Sequence, residues 1–181
     1  MSTYKKESIK LNLKVENKLM KWISMLNKLS LICISAALLI GCGDSKKKDQ
    51  SKDKGRILEY TNQLSFINES GEVVSTLDFV KADDPNERNQ GLMDVTSMPP
   101  NAGMVFYFDT EEEQSFWMMN TPLPLDIMYV NSDSVIVSIY KSTTPFSDKS
   151  LPSGAPAKYV IETNAGYSIS NDIKEGMKVR F

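Results

Sequence analysis

The chain has 181 residues, with 21 lysines and arginines against 23 aspartates and glutamates, no histidine and only two cysteines. Both cysteines, Cys33 and Cys42, fall in the N-terminal segment, so everything after Cys42 lacks thiols and disulfides. Without histidine the commonest general base and metal ligand are also excluded, leaving Asp, Glu, Lys, Tyr, Ser and Thr, or a hard cation held by oxygens.

The uncharged run 29–40 follows Lys21 and Lys28 and stops at Gly41-Cys42. It is too short to cross a bilayer, which takes about 20 apolar residues, and suits the apolar core of an export signal, about 7–15 residues. Leu39-Ile40-Gly41-Cys42 places an apolar pair and a small residue ahead of a cysteine, as lipoprotein processing requires. Residues 1–41 are therefore expected to be a lipoprotein signal peptide, and Cys42 the acylated (palmitate-bearing) first residue of the mature chain. That anchor would hold the protein to a membrane of the cell envelope, outside the cytoplasm, on the periplasmic side or at the outer membrane. Residues 1–19 lengthen the signal beyond the usual total of about 15–30, which makes Met20 the expected translation start.

Removing residues 1–41 takes away seven lysines and two glutamates, leaving 14 basic against 21 acidic residues and a net charge of −7. An acidic chain without a basic stripe is not expected to take nucleic acid as a partner. Residues 43–55 hold five lysines, three aspartates and no apolar residue. With nothing to bury, 42–55 is expected to be a solvated tether, its lysines serving a spacer more than a lipid-binding role.

From residue 56 onward the texture is β. Short runs rich in β-branched and aromatic residues predict strands at 57–60, 64–67 and 73–80, with a hairpin loop at Asn68-Glu69-Ser70-Gly71. A helix over 85–92 follows: Asp84 is its cap, Pro85 its first residue, and Glu87 completes a capping box. Further strands are expected at 103–108, 114–119, 125–130, 134–140, 157–163 and 177–181, separated by Gly, Pro, Asn, Asp or Ser. Residues 56–181 thus read as a mainly β single domain of sandwich, jelly-roll or barrel type with one short helix.

Three segments stand out: Arg88-Asn89-Gln90-Gly91-Leu92-Met93, Gly103-Met104-Val105-Phe106, and Phe116-Trp117-Met118-Met119-Asn120-Thr121-Pro122-Leu123-Pro124-Leu125-Asp126. In this order, and followed by Glu162 and Gly166, they resemble the domain-of-unknown-function 192 (DUF192) family over roughly 63–181. The chain departs from that pattern at Met119, where a lysine is usual. The resemblance implies a compact, mostly β domain with one short helix and often an export signal. It implies no activity, since none is assigned to the family.

The residues themselves suggest where a site would lie. If 114–119 is a strand, alternation sends Phe116 and Met118 to one side and Trp117 and Met119 to the other. Burial of both sides is the favoured reading, with a binding floor formed by Trp117 the rival. Asn120 and Thr121 open a turn stiffened by Pro122 and Pro124. Asp126 sits between Leu125 and Ile127 in an apolar strand, where a carboxylate wants a partner, and Arg88 is the first candidate. Glu162 ends another apolar strand and is expected to join that cluster, where two carboxylates would share a proton or hold a cation.

The binding set is therefore Arg88, Trp117, Asn120, Thr121, Asp126 and Glu162, with no metal and no cofactor expected. The leading expectation is an anchored domain binding a small molecule, a glycan or an envelope protein. The rival is an enzyme acting on envelope material, with Asp126 or Glu162 as acid or base and Arg88 holding an anionic substrate.

Overall fold

Apolar runs broken by Gly, Pro, Asn and Asp form seven strands in the computed structural model, which describes residues 55–181. The expected signal peptide, Cys42 and all of the tether but Gly55 lie outside the described residues. The strands are β1 (Asn62–Ile67), β2 (Val73–Ala82), β3 (Ala102–Phe116), β4 (Leu125–Val130), β5 (Ile136–Tyr140), β6 (Leu151–Asn164) and β7 (Lys178–Arg180). Two short helices accompany them, α1 (Pro85–Gln90) and α2 (Tyr167–Ser170), where one was expected.

The strands form one sheet in the order β5-β4-β6-β3-β2-β1-β7. Neighbours are antiparallel except β2 and β3, which run parallel because α1 carries the chain across between them. The two edges approach each other: Val135 bridges Lys178, Ile136 N–H donates to Met177 O at 2.9 Å, and Val179 N–H donates to Ser134 O at 2.8 Å. The sheet is therefore curled and barrel-like, which protects edges that would otherwise template aggregation.

Both faces of this sheet are covered. One packs Leu64, Phe66, Leu77, Val105, Met128 and Ile161. The other packs Met104, Phe106, Ile127, Tyr129 and Val160 beneath Leu92 and Met118. Because side chains alternate along a strand, every residue of β4 is buried, even and odd positions going to different cores.

Several expectations need correction. Residues 57–60 form no strand. The stretches 103–108 and 114–119 belong to one element: β3 runs from 102 to 116, with its pairing to β6 jumping from Tyr107–Tyr159 to Glu112–Ala157. The bulge lets a single long strand bend where the sequence shows only the acidic interruption Glu111-Glu112-Glu113. Since β3 ends at Phe116, residues 117–119 are loop, and alternation does not govern them.

The helix start matches its sequence reading. Asn86 and Glu87 N–H donate to Asp84 Oδ1 at 2.7 and 2.9 Å, while Glu87 Oε2 accepts from Asp84 N–H at 3.3 Å. The helix stops at Gly91, whose φ of +45° is in the region that side chains resist. The expected loop at 68–71 also closes, with Gly71 N–H donating to Asn68 O at 2.9 Å.

Candidate functional site

A cavity of about 410 Å³ opens between α1, the loop after it, and the end of β3. That volume lies within the range of small-molecule sites, about 300–1,000 Å³. Its walls are Phe106, Phe108, Phe116 and Trp117, with the thioethers of Met93 and Met119. Its polar groups include Arg88, Gln114, Thr121 and Glu162.

Glu162 owes its place to register. Its Cα partners are Met104 on β3 and Ile127 on β4, both in the core beneath α1, so its carboxyl enters that apolar layer. Gly103, beside Met104, permits the approach: a Cβ there would stand 2.3 Å from the Glu162 carbonyl oxygen. Only 4% of Glu162 is exposed, and its Oε2 has no hydrogen-bond partner among the described residues. Burial without compensating donors disfavours the charged form and pushes its pKa up to about 8, so the group is a neutral acid at pH 7. Tyr129 on β4, its phenol held above the usual range by burial and then by Glu162, donates its own proton to Leu151 O.

Arg88 is fixed by its backbone contacts. Its Nη1 donates to Asp83 O at 2.6 Å and to Tyr107 O at 2.9 Å, and its guanidinium lies 5.4 Å from the Phe108 ring centre. These contacts tie α1 to β3 and use one of the three guanidinium nitrogens, so a side chain that lines the cavity keeps donors to spare. Gln114 also lines the cavity, and its side-chain Nε2 is buried with no partner among the described residues. Sequence reading missed Gln114; one amide between acidic residues and Phe116 carries no pattern that distinguishes it.

The expected Arg88–Asp126 pair does not form. Asp126 is fully buried and its two oxygens take four bonds from elsewhere. Oδ1 accepts from Ser142 N–H at 2.8 Å and Gly166 N–H at 3.1 Å, and Oδ2 from Ser168 N–H at 2.9 Å and Ser168 Oγ at 2.6 Å. Asp126 pairs with Thr163 in register, one residue along from the Ile127–Glu162 pair, so the two carboxylates lie on opposite faces of the sheet. The expected carboxylate cluster is thereby overturned, and Asp126 is a clamp for the start of α2.

Trp117 is 52% exposed at the cavity, against the favoured expectation that both sides of 116–119 are core. Met118 alone is fully buried there, with Thr143 Oγ1 donating to its sulfur at 3.2 Å. Met119, the departure from the family pattern, lines the cavity, as does Thr121. Asn120 does not line it; it sits at φ +54° and its carbonyl accepts from Asp94 N–H at 3.0 Å. Asn tolerates that left-handed backbone where most residues do not. N120A is expected to cost about 1 kcal/mol and N120G almost nothing in chemical denaturation, the signature of a turn role.

Fold and cavity together define a class: a curled seven-stranded β domain with a ligand-sized pocket at its helix–sheet junction, walled by aromatic rings and floored by a neutral acid. Residues 65–181 match the model of the DUF192 family, described as uncharacterized ACR, and the chain belongs to that family. Two solved structures are similar. A protein of Sinorhizobium meliloti 1021, described as a candidate transcription regulator, is 33% identical with a TM-score of 0.65 over 69% of this chain and 97% of that one. A protein of unknown function from Novosphingobium aromaticivorans DSM 12444 is 30% identical with a TM-score of 0.62, over 66% and 84% of the two chains. No curated protein matches.

Proposed function

We propose that this chain is a membrane-anchored lipoprotein, held outside the cytoplasm through Cys42, whose β domain binds a small molecule in the cavity beneath α1. The observation that carries the binding reading is the Glu162 carboxyl: a buried oxygen without a partner costs free energy on the order of 1–3 kcal/mol, and the residue that carries it lines a ligand-sized space. The aromatic walls and the exposed Trp117 supply the apolar contact that such sites use for affinity.

The acid–base enzyme reading is weaker on the same geometry. As drawn from the sequence it needs a second carboxylate near Glu162, and Asp126 is committed to its four bonds across the sheet. Among the described residues no three Asp or Glu side chains gather into a metal-binding group. The regulatory description of the Sinorhizobium protein stays with that protein, because a shared fold does not carry an activity. Residues 56–181 hold nine basic and 18 acidic side chains, a balance that speaks against nucleic acid here.

A fragment screen by NMR on the full-length chain tests the binding reading. Hits are expected to shift Arg88, Phe116 and Glu162 together. W117A, at an exposed position, is expected to change stability by less than about 0.5 kcal/mol while weakening those hits several-fold. Fragments that gather on another face, or none that perturb these residues, would overturn it.

A further inference from the structure

The binding reading leaves the ligand's chemistry open, and the donors and acceptors at the cavity narrow it. Three of the cavity's polar side chains carry hydrogen-bonding groups that no partner among the described residues takes up. Gln114 has a side-chain N–H₂ without a partner among the described residues, covered by its surroundings, which a half-turn of the terminal amide would bring round to a ligand. Arg88 contributes the guanidinium nitrogens not held by Asp83 and Tyr107, and it is the one formal charge on the walls at neutral pH. Glu162 contributes a carboxyl whose Oε2 nothing in the described residues satisfies. Tyr129 on β4 is the titratable neighbour of Glu162, Arg88 on α1 lines the same cavity, and neither is an anion that would compete for a ligand. The remaining surface is aromatic and thioether together with the neutral polar side chains Asn89, Gln90, Ser115 and Thr121.

Resting on the reading above, we infer that the cavity takes a small organic acid: a carboxylate accepts from Arg88, Gln114 and the Glu162 carboxyl, while an apolar or flat body lies against Phe106, Phe116 and Trp117. A carboxylate is the acceptor-only group that satisfies several converging donors at once. An organic cation would instead need Glu162 ionised, and would meet the Arg88 charge at the same cavity. A phenyl-sized body matches walls on which the Phe106 and Phe116 rings already meet edge to face at 4.9 Å.

Phenylacetate, phenylacetamide and phenethylammonium share one ring and differ in charge, so ligand-detected NMR titration of the full-length chain separates the cases. At pH 7 phenylacetate is expected to bind at least about ten-fold tighter than either of the others. Because the acid form of Glu162 is the donor, phenylacetate affinity stays level between about pH 5.5, where the ligand is ionised, and pH 8, and falls about ten-fold per unit above it. E162Q keeps a donor and is expected to bind phenylacetate within a few-fold of the parent and without the fall above pH 8. E162L, which has no donor, loses about ten-fold or more.

A preference for phenethylammonium, an affinity for phenylacetate that rises with pH, or an E162Q variant as impaired as E162L would overturn the inference while leaving the cavity a binding site. Failure of all three probes at millimolar concentration would also overturn it; the fragment screen then decides separately whether the cavity binds anything.

Discussion

E162Q is expected to be more stable than the parent chain above pH 8, by on the order of 4 kcal/mol, and nearly equal to it at pH 4.5. The sign follows from proton binding. The unfolded glutamate titrates at its ordinary value of 4.5 and the folded one at about 8, so between those values the native state holds a proton that the unfolded state has released. Stability contributed by the neutral carboxyl is complete below about pH 4.5, declines as pH rises through the window, and is lost above the folded value. Glutamine has the same shape and no ionisation, so its curve lacks that decline. Chemical denaturation of both chains at several pH values from 4.5 to 9 reads the difference directly. Parallel curves would mean that Glu162 is solvated or partnered in the folded protein.

Replacement of Asp126 has the opposite effect and a different cause. Its two oxygens accept four bonds, and an asparagine keeps only one acceptor oxygen, so two donors face an amide N–H₂ instead. Hydrogen bonds to a charged group are worth about 1.5–3 kcal/mol each, and D126N is expected to lose about 3 kcal/mol, or roughly 10 °C in Tm. The loss loosens α2 and the segment after β5, which lie away from the Glu162 face, so fragment binding at the cavity persists in whatever protein remains folded. Calorimetry with the fragment present and absent separates the two effects. A D126N chain of unchanged Tm that no longer binds would place Asp126 in the ligand site instead.

Local chemistry was readable from the sequence where it is decided locally. The start of α1 is set by Asp84, Pro85 and Glu87 within four residues, and all of them act as their spacing suggests. The strand-rich texture and the curled sheet were likewise within reach, because β-branched and aromatic runs fit a half-buried pleated surface. Pairing register was not. In Leu125-Asp126-Ile127 and Val160-Ile161-Glu162 both faces are buried, so burial pattern cannot tell which face a carboxylate takes. Only the Ile127–Glu162 pairing sets Glu162 beneath α1 and Asp126 on the other side, separating two residues that looked like one cluster.

The end of β3 was hidden for a related reason. Phe116-Trp117-Met118-Met119 reads as a continuation of the strand, but the chain leaves the sheet at Phe116 and the turn at Asn120 takes over. That departure is what frees Trp117 to stand half-exposed at the cavity. Four of the six residues picked out as a binding set, Arg88, Trp117, Thr121 and Glu162, line one cavity; Asn120 shapes the turn beside it and Asp126 braces the opposite face.

The central claim is that a neutral, unpartnered carboxyl waits at the floor of that cavity. Carbon-13 NMR of the Glu162 side-chain carboxyl across pH 4–10, in the ligand-free full-length chain, tests it most directly. The account predicts a midpoint near pH 8, well apart from the exposed glutamates. A midpoint at the ordinary value of 4.5 would contradict it, since an ionised and solvated Glu162 leaves the cavity with no orphaned acid to satisfy.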